Sequence, residues 1–122
     1  MINTVEGVIE QYVSAWNEQG LENYLAAFAL CWSEDAIYND PNFFQVSGLQ
    51  ALAELAQSSL SVMPVRKFAV LTTPDYHHNV GRYTWKVDLP EETKEGFDYF
   101  EFNDDYKITR LVSFFGPLKP VV

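Results

Sequence analysis

Two periodicities divide this chain at Pro64. Before it, apolar residues recur with helical spacing; after it, they alternate as in strands. Val5, Val8, Ile9, Tyr12, Val13 and Trp16 predict an amphipathic helix over 4–17. Gly20 predicts a stop, and Leu21, Tyr24, Leu25, Phe28 and Trp32 predict a second helix reaching residue 32. "AIYND" reads as a short strand ended by Pro41, which has no N–H for a ladder. Ser47 with Gln50 forms a capping-box pattern opening a third helix, with Leu49, Leu52, Leu55, Leu60 and Met63 on its stripe. Pro64 stops that helix. Four strand-like segments follow: "VRKFAVLTT", "GRYTWKVDL", "GFDYFEFN" and "YKITRLVSFF", punctuated by "PDYHHN", "PEETKEG" and "NDD".

Helices segregated from consecutive hairpin strands predict an α+β domain over residues 1–122, in the order α-α-β-α-β-β-β-β. An antiparallel sheet of roughly five strands, curled around three helices, encloses a cone that gapes at one end. The chain is 48% hydrophobic and 16% aromatic, enough to fill a core and still line a pocket. Its net charge of −9 argues against nucleic acid and anionic membranes as partners. Cys31 is the sole cysteine, so no internal disulfide forms, and its helical position suits a small core hydrophobe. The N-terminal segment carries neither a basic run nor a long apolar stretch, so a cytoplasmic protein is expected.

Period-2 alternation assigns the strand faces. Tyr83, Trp85 and Val87 share the apolar side of their strand, and Arg82, Thr84 and Lys86 share the other. In the next strand Asp98 falls in line with Phe100 and Phe102, which predicts a carboxyl group inside the cone. Such a group neutralises or finds hydrogen bonds, because burying an unpartnered carboxylate is costly. Tyr12 on the first helix and Asp40 at the end of "AIYND" can reach the same space. Trp16, Phe28, Leu55 and Met63 are expected to line it from the helical half. Tyr38, Tyr83, Trp85, Phe100 and Phe115 line it from the strands, with Phe44 at its rim.

The order of these motifs resembles the nuclear transport factor 2-like superfamily, and within it SnoaL-like proteins and ketosteroid isomerases. The resemblance rests on "QYVSAWNEQGLENYLAAF", "EDAIYNDP", "SGLQALAEL" and "GFDYFEFNDDYKITRLVSFFGP". It implies a cystatin-like roll. By resemblance, the catalytic tyrosine falls on Tyr12, the proton-shuttling aspartate on Asp40, and the protonated oxyanion-holding aspartate on Asp98; ketosteroid isomerase is itself a standard example of such carboxylate tuning. Two departures stand out. "ALCW" at 29–32 adds about one helical turn. The supporting tyrosine of the third helix has no match, and Ala56 or a neighbour takes its place.

His77 and His78 are adjacent and so point to opposite strand faces. They are expected at a hairpin end, where one could serve as an acid or base at the pocket mouth. They do not make a metal site. No Gly-rich phosphate loop, serine elbow or Cys–His pair is present, and no cofactor or metal is expected. The expected function is therefore cofactor-independent acid/base chemistry on a small apolar carbonyl compound, by isomerisation, cyclisation or dehydration. The alternatives are a non-catalytic small-molecule binder and a dimeric assembly domain. Outward apolar residues Phe97, Tyr99, Val112 and Phe114 predict a homodimer in each case.

Overall fold

Three helices lie against one face of a curved seven-stranded sheet in the computed structural model, which describes residues 1–122. The helices are α1 (Val5–Ala15), α2 (Leu21–Ala29) and α3 (Leu49–Ser59). The strands are β1 (Trp32–Asn39), β2 (Val46–Ser47), β3 (Lys67–Val70), β4 (Asp75–His77), β5 (Val80–Asp88), β6 (Thr93–Phe102) and β7 (Ile108–Phe115). The sheet runs β2-β1-β7-β6-β5-β3, with β4 also on β5.

The α+β class and the order of helices and principal strands follow the sequence pattern; the details differ. The sheet is mixed, because β1 and β7 pair in parallel, with Tyr38 opposite Leu111. "VRKFAVLTT" and "PDYHHN" become two short strands sharing one edge of β5, since the ladder breaks after Val70. β6 begins at Thr93, inside the segment read as a hairpin tip. Trp32 opens β1 instead of closing α2.

Local chemistry explains the helix ends. Thr4 caps α1, accepting from Gly7 N at 3.0 Å. The capping box at Ser47 does not form. Ser47 is committed to β2, and the chain turns into α3 through Gly48 at φ 93°, a conformation that favours glycine. Gln50 donates instead to Glu54.

Alternation on β5 and β6 holds as predicted: Tyr83, Trp85, Val87, Asp98 and Phe100 are buried, and their neighbours are half-buried or exposed. Trp32, Tyr24, Phe28 and Phe100 fill the core, each burial contributing roughly 1.5–3 kcal/mol. Cys31 is part of this core, and burial pushes its thiol up to about 12. Register breaks between Trp32 and Ile37, and between Glu101 and Phe102, add local bend to the sheet. No helix is long and apolar enough to cross a membrane.

Candidate active site

Between the C-terminal half of α1, the end of α3 and the concave side of the sheet lies a cavity of about 950 Å³. Tyr12, Trp16, Tyr38, Asp40, Asp98 and Ser113 all contribute to its wall. The three residues singled out for chemistry, Tyr12, Asp40 and Asp98, therefore meet at one space.

Asp98 is the more enclosed of the two carboxyl groups, 3% exposed. Its place in the ladder sets its partners: Tyr83 is opposite on β5 and Ser113 opposite on β7. The Tyr83 hydroxyl donates to Asp98 Oδ2. The Trp85 indole N–H donates to Oδ1 at 2.8 Å. Gly96 makes room for that indole: a Cβ there would stand 2.5 Å from Trp85 Cζ2 and 2.3 Å from the Phe114 carbonyl oxygen. Burial pushes the carboxyl group up to about 6, while hydrogen bonds from Ser113, Tyr83 and Trp85 hold it from rising further. The shift is toward the neutral Asp98 that the sequence reading expects. Protonated and ionised forms exchange near pH 6, because three donors favour the charge that burial opposes.

Asp40 is held differently. The Tyr38 hydroxyl donates to its Oδ2 at 2.6 Å, and the backbone N–H groups of Asn42 and Phe43 donate to Oδ1 at 2.8 and 2.9 Å. The carboxylate both shapes the turn after β1 and faces the cavity. Asp40 and Asp98 thus each carry a tyrosine hydroxyl. Tyr83 stands beside Asp98, and Ala56 is buried in α3.

Tyr12 is 2% exposed and packs between Trp32, stacked at 5.7 Å, and Phe28 at 5.9 Å. Burial, then the nearby Asp98 charge, pushes its phenol well above the ordinary value, so it stays a neutral donor. Burial does the same to Tyr38 and Tyr83.

Of the expected lining residues, Trp16, Tyr38, Leu55, Met63, Trp85 and Phe115 line the cavity. Four do not. Phe28 and Phe100 are wholly enclosed in the core, and Tyr83 lies behind Asp98, facing it. Phe44 points outward at 81% exposure, and its neighbour Phe43 lines the cavity instead. His77 and His78 also miss the mouth. They sit at the β4–β5 turn with Nδ1 atoms 2.9 Å apart, and neither lines the cavity. The guanidinium groups that could have neutralised Asp98 are elsewhere: Arg82 pairs with Asp75 at 3.1 Å, and Arg110 is exposed on the other face. No group of three or more His, Cys, Asp or Glu residues is placed to hold a metal. Ser113 and Arg66 belong to the wall; Ser113 carried no sequence signal beyond the parity of its strand, and Arg66, in a loop, carried none.

The SnoaL-like domain family matches residues 9–111, and the chain belongs to that family. Among solved structures, a SnoaL-like protein of Agrobacterium tumefaciens strain C58, proposed to be an isomerase, is 28% identical. The match covers 90% of this chain and 95% of that one, at a TM-score of 0.80. A Kribbella flavida protein proposed to be a ketosteroid isomerase is 15% identical, covering 97% and 82%, at 0.71. A protein of unknown function with a cystatin-like fold from Methylobium petroleophilum is 15% identical, covering 95% and 78%, at 0.72. Comparison with curated proteins gave no match.

Proposed function

We propose that the protein is a cofactor-independent acid/base enzyme that isomerises, cyclises or dehydrates a small apolar carbonyl compound through an enolate-like intermediate. One observation carries this reading: a buried carboxyl group, Asp98, held at about 6 in the wall of a largely apolar cavity. A carboxyl group of that strength can take and return a proton near neutral pH, an effect worth roughly 10²–10⁴-fold.

The reaction begins when the Asp98 carboxylate removes a proton from the carbon beside the carbonyl. The C–H electron pair moves into the carbonyl, and the charge gathers on its oxygen. Tyr12, a neutral phenol at the same wall, donates to that oxygen. Asp98, now protonated, returns its proton to carbon in an isomerisation or to a leaving hydroxide in a dehydration. In cyclisation the enolate carbon attacks a second carbonyl, whose oxygen takes the proton. Asp40 is the alternative base, the role implied by family resemblance; its oxygens, like those of Asp98, accept three hydrogen bonds, two of them from its own turn.

The test is deuterium exchange of ketone α-protons in D₂O, followed by NMR with an unsaturated cyclic ketone as probe. Asp98→Asn should lower exchange at least a hundredfold with the fold intact, and Asp40→Asn should lower it less. The reverse ranking would restore Asp40 as the base. Equal exchange in both variants and the parent would end the enzymatic reading.

A non-catalytic binder of the same fold is the second reading, favoured by Asp40, whose role in the 40–43 turn needs no chemistry to explain it. Under either reading we propose a cytoplasmic homodimer whose partners include neither nucleic acid nor membrane. The outer-face stack of Phe97 on Phe114, 4.8 Å between centroids, supports the dimer, and the net charge of −9 supports the exclusions.

A further inference from the structure

Arg66, in the loop between α3 and β3, is a cation without an anion. Arg66 lines the cavity, as do Ser58, Ser59 and Ser61. Every protein group it meets is neutral. Nη1 donates to Ser59 Oγ at 2.6 Å, and Nη2 donates to the Trp16 carbonyl at 3.1 Å and the Tyr24 hydroxyl at 3.0 Å. The Ala56 carbonyl is 3.5 Å away. Nε is buried with no acceptor at all. No carboxylate lies within ion-pairing distance of Arg66, although the chain has 17 acidic side chains against 8 Lys and Arg.

The wall is polar at both ends and aromatic between. Arg66 Cζ sits 5.4 Å above the Phe68 ring, Phe68 packs 5.9 Å from Trp85, and Trp85 donates to Asp98. Two aromatic rings therefore separate the unpaired cation from the buried carboxyl group. Nη2 is fully engaged and Nη1 gives one of its two hydrogens to Ser59, so one Nη1 N–H stays uncommitted. A half-buried guanidinium that lacks a counter-ion is matched by an anion, and a carboxylate oxygen accepts such a donor. We propose that Arg66 anchors a carboxylate of the cavity's ligand, so that the ligand is an apolar compound bearing an acid at one end. The assignment rests on the cavity being a ligand site and not on catalysis there.

Trp16 and Trp85 line the cavity, so their fluorescence reports occupancy. The experiment titrates the protein at pH 8 with octanoate and with its neutral counterpart octanamide, at low and at high salt. Octanoate should bind about tenfold or more tightly than octanamide, with the margin shrinking as salt rises. Arg66→Gln should abolish the margin, leaving octanamide affinity near that of the parent, and Arg66→Lys should keep part of it. Arg66 also ties α1 and α3 together, so circular dichroism checks each variant; should Arg66→Gln fail to fold, the parent and Arg66→Lys titrations decide. Equal binding of the two probes, or a preference that survives in Arg66→Gln, overturns the anion site while leaving the cavity a ligand site. Binding of neither probe at millimolar concentration overturns both.

Discussion

Tyr83 and Asp98 face each other across β5 and β6, and the tyrosine hydroxyl donates to the aspartate inside the sheet's concave side. The pairing fixes where the carboxyl group points and how readily it ionises. Removing the hydroxyl in Tyr83→Phe takes a donor from the charged form, so Asp98 should titrate about one unit above its present value of about 6. Carbon-13 NMR of the labelled carboxyl group measures this directly. An unchanged midpoint would show that Trp85 and Ser113 hold the charge without help.

Asp98 should also leave a mark on stability. Its folded pKa of about 6 lies above the ordinary 3.8, so between these values the folded chain binds more protons than the unfolded one. Its contribution therefore favours folding at pH 4 and is lost as pH rises through 6. The change is on the order of 3 kcal/mol at most. Urea unfolding from pH 4 to pH 8 should show this decline in the parent and lack it in Asp98→Asn, which should be the more stable of the two at pH 8.

Gly96 is predicted to be intolerant of any side chain. Alanine there would press on a backbone oxygen at 2.3 Å and on the Trp85 ring at 2.5 Å. Gly96→Ala should cost about 1–3 kcal/mol and move the indole off Asp98. Denaturation and the tryptophan emission spectrum read the two effects together.

The outer face offers a separate test. Phe97 and Phe114 stack in a cross-strand pair, and Phe114 is 45% exposed. Phe114→Glu should convert a dimer to a monomer in analytical ultracentrifugation and leave ligand titrations of the cavity unchanged. A monomeric parent would refute the proposed assembly.

Much of this architecture was legible because one face of each element is apolar. The alternation of Tyr83, Trp85 and Val87, and of Asp98 and Phe100, placed the aspartate inside before any coordinates did. Parity reports facing, however, and not depth. Phe100 and Phe28 face inward yet are sealed by neighbours, so they never reach the cavity. Arg66 lies in a loop, where no period exists to place it, and its partners are distant in the chain. The parallel β1–β7 pair was also hidden, because hairpin spacing reveals only strands that follow one another.

That pair has a consequence for synthesis. Trp32 and its strand wait for Ile108 and the last strand, and the amide of Ile108 donates to the Cys31 carbonyl at 2.7 Å. On the ribosome the helical half emerges first and holds an unmatched strand edge until almost the whole polypeptide is made. Closure is a late, long-range event, of the kind that slows folding and exposes nascent chains to chaperones.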